Sequence, residues 1–391
     1  MRHTVGSTPR HTREASSLML EFAERTGLSS DAPPRRYLWT DAFAVCNFIG
    51  LARETGERRY GQLALELIEQ VHHVLGTYRS DDSRTGWISG LDEREAEAHP
   101  TLGGLRIGKP FPERGALDPF DERLEWQRDG QYFHYATKWM HALNQTARWT
   151  GQPRYNRWAR ELAKVSHDAF TYSAEDGRRM VWKMSIDLAR PLVPSMGHHD
   201  PLDGFITCIE LQTTASQLSS SGPSLEETAA DFARMMIDRD WATADPLGLG
   251  GLLMDASRVA QLEGIGGFDE SELLRTLLAA ALRGLQHYAR HNDLRQPASR
   301  RLAFRELGLA IGLSALESIG RPPGENEAQR SHPAAIRELL LALGSYAELS
   351  SEIQACWRDP ANRGGPSWTE HRDINEVMLA TSLRPAGFLV I

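Results

Sequence analysis

Two stretches of the chain end in the same way. Residues 37–60 pass through an almost wholly apolar run into Thr55-Gly-Glu-Arg-Arg-Tyr60, and residues 130–155 pass through a second helical run into Thr150-Gly-Gln-Pro-Arg-Tyr155. Glycine just past a helical run takes the left-handed backbone that stops a helix, so each stretch spells a helix, a tight break and a second helix. A helix that is apolar all round cannot be covered by one partner, and repeats of such a pair have to pack on one another. This internal repeat narrows the fold to assemblies of helical hairpins.

Further pairs follow with the same logic. Buried helices are predicted at 38–54, 130–149, 203–219, 249–262, 302–317 and 369–383, and outer, amphipathic ones at 61–76, 224–238, 270–290 and 333–349, with another after Gly151. Residues 14–25 form one more amphipathic helix, closed by Thr26-Gly27. Six inner helices shielded by an outer layer give an all-α (α/α)6 toroid, expected as a single domain over 1–391, with 14–25 packed against 369–383. Connections at 77–129 and 171–202 exceed the usual length of a loop, so both are expected as rim insertions that frame a site. Within the second, Arg179-Met-Val-Trp-Lys-Met-Ser-Ile-Asp187 alternates like a strand and predicts half of a small β-hairpin.

Composition limits the function. A formal net charge of −8 lacks the basic excess of a nucleic-acid binder. No run of 18 apolar residues occurs and the first residues carry no apolar signal core, so no membrane partner is expected and the protein is expected to be cytoplasmic. Cys46, Cys208 and Cys356 lie far apart, as in a reducing compartment. No dinucleotide glycine motif, phosphate-binding loop, nucleophile elbow or His-Glu-x-x-His is present, and no cofactor is expected.

In a ring of hairpins the first turns of the inner helices converge on a funnel. They bring Trp39 and Asp41; Arg128, Asp129, Gln131, Tyr132 and Tyr135; His198, His199, Asp200 and Asp203; Met254 and Asp255; Arg301, Arg305 and Glu306; and Trp368, Glu370, His371, Arg372 and Asp373. Aromatic faces stack on sugar rings, while carboxylates and arginines bind hydroxyl and uronate groups, so the expected partner is a small saccharide. Asp41, Asp129 and Asp203 are the candidate catalytic carboxylates. Trp39, Arg128, Gln131, Tyr132, His198, His199, Arg305, Trp368, His371 and Arg372 are the candidate binding residues. Plainer roles exist for several: Thr40 as the cap of its helix with Asp41 on the helix dipole, Asp203 as another dipole partner, and Ser367-Trp-Thr-Glu370 as a capping box. His198-His199-Asp200 lacks the spacing of a metal site, and Asp81-Asp82 lacks that of a calcium loop, so no metal is expected.

The run Trp39-Thr-Asp-Ala-Phe through Thr55-Gly-Glu-Arg-Arg-Tyr60 resembles the six-hairpin glycosidase superfamily, above all the unsaturated glucuronyl and rhamnogalacturonyl hydrolases. The resemblance implies the toroid, a glycoside hydrolase acting on a small acidic or modified saccharide, and Asp41 as general acid/base. This chain departs from the pattern at Thr40 and Val45. The N-acylglucosamine 2-epimerases use the same ring with paired histidines, which implies His198 or His199 with His371 as an alternative acid/base pair. A non-catalytic saccharide-binding toroid is the third reading.

Overall fold

The computed structural model describes residues 8–391 apart from 176, 266, 267, 269, 292 and 320–331. Helices dominate, and the strands are short and few, so the fold class is all-α, built from helical hairpins. Two compact units are present: residues 23–237 form one, and the described residues up to Phe22 with Asp238–Ile391 form the other. Helix α1 is Thr8–Arg25, longer at its start than the periodicity predicts.

The unit 23–237 holds three hairpins. The first pairs α2 (Leu38–Thr55) with α3 (Arg58–Leu75), joined by Gly56 at φ 70°. The short helices α4 (Glu93–Ala98) and α5 (Glu122–Glu125) lie in the first long connection. The second hairpin pairs α6 (Phe133–Thr150) with α7 (Pro153–Phe170), joined by Gly151 at φ 70°, and the third pairs α8 (Asp200–Leu218) with α9 (Glu226–Met235). Both linking glycines sit in the left-handed region that the repeated Thr-Gly demanded. Helix α6 packs on both α2 and α8, so these three are the inner layer. A buried polar network ties α6, α7 and α8 together. Glu210 accepts from Asn144 at 2.9 Å and lies 3.0 Å from His141 Nδ1, while Asn156 donates to Asn144 Oδ1 at 2.9 Å. Every member has a partner, the condition under which a buried polar cluster specifies one packing rather than destabilising it.

Two small sheets come from the long connections. Strand β1 (Gln131–Tyr132) leads into α6; β2 (Thr171–Ala174) and β3 (Gly177–Met180) form a hairpin that takes in only Arg179 and Met180 of the run expected as a strand; β4 (Lys183–Met184) and β5 (Pro191–Val193) complete the set. The order β1-β4-β5 is antiparallel, with Tyr132 opposite Lys183 and Lys183 opposite Val193. The alternating run 179–187 is therefore shared between two sheets rather than forming one strand. The residues expected at the start of an inner helix from 130 are instead this strand, because the two insertions pair with each other there.

The other unit is built from α10 (Pro246–Ile265), α11 (Ser271–His291), α12 (Ala303–Ile319), α13 (Ala334–Gly344), α14 (Ala347–Arg358), the one-turn helices α15 (Pro360–Arg363) and α16 (Pro366–Thr369), α17 (Arg372–Leu383) and α18 (Ala386–Leu389). The helix expected over 333–349 is two, broken after Gly344. Helices α10 and α12 cross at glycines: a side chain on Gly250 would meet the Gly308 carbonyl oxygen at 2.1 Å, and one on Gly312 would meet Gly250 at 2.6 Å. The ends of the chain meet within this unit, Arg358 donating to Glu14 at 2.7 Å and Arg372 lying 3.6 Å from Glu21. No described helix is long and apolar enough to cross a membrane.

Candidate active site

A cavity of about 490 Å³ opens within the unit 23–237, among residues from α5, β5, the start of α6 and the segment before α8. The sheet β1-β4-β5 lends Val193 to its lining and brings the end of one insertion against the other. Trp126 and Trp182 stack at 5.2 Å between ring centres, and the Trp182 indole donates to the Ser195 hydroxyl at 2.8 Å. Trp126 is 52% exposed, so one of its faces remains open to a ligand. Below them Lys183, wholly buried, bonds the carbonyls of Glu125 and Arg128 at 2.7 and 3.0 Å and pairs with the Glu125 carboxylate at 2.8 Å. Burial pulls the Lys183 ammonium downward, and Glu125 opposes this.

His134, the second residue of α6, lines the cavity. Around it stand Tyr132, ring-stacked at 5.4 Å, Tyr135 at 4.9 Å, Trp39 at 6.3 Å and Trp182 at 6.2 Å. Burial among these rings, helped by the charges of Lys138 and Lys109 and opposed by Asp203, lowers the imidazole to about 4, so it is neutral at pH 7. Its Nδ1 lies 3.9 Å from Oδ1 of Asp200, the first residue of α8. The other oxygen of Asp200 is buried without a hydrogen-bond partner. Burial first, and then the charge of Asp203, push the Asp200 carboxyl up to about 7 against the pull of Lys138 and a backbone hydrogen bond from Gly197. Gly197 is needed here, since a Cβ on it would meet that carboxylate at 2.3 Å. Nearby, the Tyr37 and Tyr135 hydroxyls share a 2.7 Å hydrogen bond, and the Lys109 ammonium lies 5.1 Å over the Tyr37 ring. Burial, with Lys183 adding, lowers Lys109 to about 8, and burial raises Tyr135 to about 12 against its bond to Tyr37.

The expected carboxylates are each tied to a cation. Asp41 is 1% exposed, accepts the Tyr37 N–H at 2.8 Å and lies 3.5 Å from Arg36. Tyr37, not Thr40, occupies the cap position of α2, and the Asp41 side chain reaches back one turn to it. Asp129, fully buried, takes Arg106 at 2.6 Å, Arg79 at 3.5 Å and the N–H groups of Gly108 and Gly130 at 3.0 and 3.1 Å. Asp203 accepts from Thr137 at 2.5 Å and Lys138 at 2.6 Å. Of the three, Asp203 is the one whose field reaches His134 and Asp200.

Among the binding candidates, Trp39 and Tyr132 join the aromatic shell of His134, as does Tyr135. Gln131 is used up on backbone, taking the Leu105 N–H at 2.8 Å and giving to Ile186 at 2.6 Å. Arg128 pairs with Asp118 at 3.4 Å. His198 and His199 meet in a tilted ring contact at 4.5 Å just before α8. Arg305, Trp368, His371 and Arg372 belong to the other unit. There Arg305 holds Asp245 at 2.6 Å, Trp368 stacks on Trp357 at 5.8 Å, His371 meets Phe304 at 5.7 Å and Arg372 bonds Glu376 at 2.6 Å. Also there, Arg301 grips Glu306 at 2.7 and 2.6 Å, and Asp255 pairs with Arg258 at 3.1 Å. The Ser367-to-Glu370 capping box does not form: the Ser367 hydroxyl donates to Ala298 at 2.9 Å, and Glu370 ends α16 rather than opening a helix. Asp81 and Asp82 lie in a solvent-facing turn, clamped by Arg79 and Arg84.

His134 and the tryptophans 126 and 182 escaped the sequence. A signal for His134 was there: setting Thr150-Gly151 in register with Thr55-Gly56 places His134 opposite Trp39, at the same helical position that drew attention in the first repeat.

No family model matches the chain, and no curated protein matches it. Among solved structures, cellobiose 2-epimerase from Spirochaeta thermophila DSM 6192 is similar over 96% of this chain and 98% of its own, with 12% identity and a TM-score of 0.48.

Proposed function

We propose that the protein is a saccharide-acting enzyme and that His134, backed by Asp200, carries its acid/base chemistry. The observation that supports this is the pairing itself: a neutral imidazole lines an aromatic-walled cavity, and a buried carboxyl with an unbonded oxygen stands 3.9 Å behind it. Substrate binding commonly tightens such a contact, and the Asp200 carboxyl, once ionised above about pH 7, would fix the tautomer and stabilise the cation formed on proton uptake. Trp126 and Trp182 offer faces for a sugar ring, and the cavity suits one or two rings rather than a polymer.

Between isomerisation and hydrolysis, this arrangement favours proton transfer at a carbon beside a carbonyl, as in a sugar epimerase. A neutral base within an apolar shell suits that step. Hydrolysis would call for two carboxyl groups about 5 to 10 Å apart across the scissile bond. Asp41, Asp129 and Asp203 would each have to leave a cation to serve, and of the glutamates that line the cavity, Glu125 is held by Lys183 and by Arg114 at 3.0 Å. The hydrolase reading keeps one point in its favour, a carboxyl, Asp200, that holds its proton up to about pH 7 as a general acid must.

The test is a panel of reducing mono- and disaccharides beside unsaturated uronyl oligosaccharides, followed by NMR. Appearance of an epimer or ketose with intact glycosidic bonds supports the proposal. Cleavage of the uronyl substrates, with no isomerisation, would return the choice to the carboxylates.

A further inference from the structure

Of the 44 lysines and arginines in the chain only four are lysines: Lys109, Lys138, Lys164 and Lys183. Three of them hold a carboxylate, Lys138 at 2.6 Å from Asp203, Lys164 at 2.9 Å from Asp168 and Lys183 at 2.8 Å from Glu125. Lys109 holds none. Its backbone is pinned, the N–H donating to Asp129 at 3.3 Å and the carbonyl accepting from Arg79 at 2.7 Å, but its side chain leaves that carboxylate and lies over the Tyr37 ring. Among the described residues Nζ makes no hydrogen bond or ion pair, and it is not sealed from solvent.

A half-buried ammonium gives up water that an anion or another acceptor has to replace. The other cations close by are already engaged, Arg79 and Arg106 with Asp129 and Arg128 with Asp118, beside the paired Lys138 and Lys183. Lys109 is left as the open positive charge, and its lowering, by burial first and then by the charge of Lys183 against that of Asp129, fits a cation short of counter-charge. Donors stand beside it. The 2.7 Å bond between the Tyr37 and Tyr135 hydroxyls uses one of their two hydrogens and leaves the other to donate. Tyr135 meets His134 edge-on at 4.9 Å, which ties this group to the histidine that lines the Trp126 and Trp182 cavity. Tyr37, Lys109, His134 and Tyr135 are all half-buried, so each keeps open surface although they pack together.

We propose that Lys109, with the remaining hydrogen of the Tyr37 and Tyr135 pair, binds an oxyanion on the ligand, so that the sugar taken at His134 carries a phosphate or a carboxylate. The anion is argued from the surroundings of Lys109 alone; its attachment to a sugar rests on the saccharide reading above. A charge-assisted bond from an ammonium is stronger than any a neutral hydroxyl group makes, so this contact discriminates acidic sugars from neutral ones. Lysine acts as a compact point charge and serves either group without the fork geometry of arginine.

The experiment is calorimetry on the full-length protein at pH 7 with glucose 6-phosphate, glucuronate, glucose and, as the bare anion, inorganic phosphate. An anionic sugar should bind at least about tenfold tighter than glucose, and which of the two binds tighter tells phosphate from carboxylate. Lys109→Met should weaken that binding about 10- to 100-fold, Lys109→Arg should restore most of it, and Lys164→Met should leave it intact, with circular dichroism the same throughout. At pH 8, where Lys109 is about half protonated, binding should take up about half a proton, read as a heat that differs between Tris and HEPES buffers and is lost in Lys109→Met. Equal affinity for all three sugars, no binding of either anionic sugar or of inorganic phosphate up to tens of millimolar, or undiminished binding in Lys109→Met would each overturn the assignment. Binding needs no turnover, so a protein that holds the anionic sugar through Lys109 but isomerises nothing would refute the proposed chemistry at His134 and leave this site standing.

Discussion

His134 Nδ1 faces Asp200 Oδ1 across 3.9 Å, the imidazole on the second residue of one inner helix and the carboxyl on the first residue of the next. Neither group is placed by its own loop. The hairpin repeat delivers both, because helices α6 and α8 pack side by side and begin at the same end, and Gly197 leaves room for the carboxyl between them.

Stability should depend on pH through Asp200. Its folded-state value, about 7, lies above the unfolded value near 3.8, so between these the native state holds a proton that the unfolded chain has released. The stabilisation is complete below about pH 4 and is lost as pH rises through 7. Three units correspond to about 4 kcal/mol at most. Urea unfolding of Asp200→Asn against wild type should show the variant gaining relative stability from pH 4 to pH 8. Parallel curves would mean that Asp200 is ionised throughout.

Asp41→Asn separates a structural carboxylate from a catalytic one. The amide still accepts the Tyr37 N–H but no longer balances the buried Arg36, so a loss of about 3 kcal/mol is expected with turnover retained. Chemical denaturation and steady-state kinetics on the same preparation decide it. Abolished turnover at unchanged stability would make Asp41 the acid/base.

The glycine crossing of α10 and α12 should tolerate nothing larger. Gly250→Ala puts a methyl group 2.1 Å from the Gly308 carbonyl oxygen, which the backbone can relieve only by moving the helices apart. A loss of about 1 to 3 kcal/mol is expected, with a lower midpoint in thermal unfolding. An unchanged midpoint would show that the two helices separate at little cost.

Much of this architecture was legible in the sequence, and the reasons are local. The Thr-Gly breaks at 55–56 and 150–151 announce left-handed caps, and all-round apolar runs announce inner helices. What stayed hidden depends on partners far along the chain. Gln131 and Tyr132 became strand because Lys183 and Met184 lie opposite them, and Asp129 became an anchor because Arg106 comes back to it. Asp200 was visible as one of the residues converging on the funnel and as part of a His-His-Asp string; its environment comes from His134, Lys138 and Asp203, and no local spacing carries that. Trp126 and Trp182 sit in the two long insertions, where no periodicity says which faces meet.

Trp126 should matter for binding more than for chemistry. Loss of an aromatic face that stacks on a sugar is worth about 1.5 kcal/mol at most, so Trp126→Ala should raise KM about tenfold and leave kcat nearly unchanged. Initial rates over a range of saccharide concentrations test this. A fall in kcat with constant KM would mean that the indole acts in the transition state.

The most direct test of the His134 proposal is solvent-deuterium incorporation. The wild-type protein, incubated in deuterated water at pH 7 with a reducing sugar that the panel identifies as a substrate, should place deuterium at the carbon beside the carbonyl, as followed by NMR. His134→Asn should suppress this by about 10²- to 10⁴-fold while circular dichroism and saccharide binding persist. Exchange at the wild-type rate in His134→Asn, or product formed by wild type without deuterium, would contradict His134 as the base.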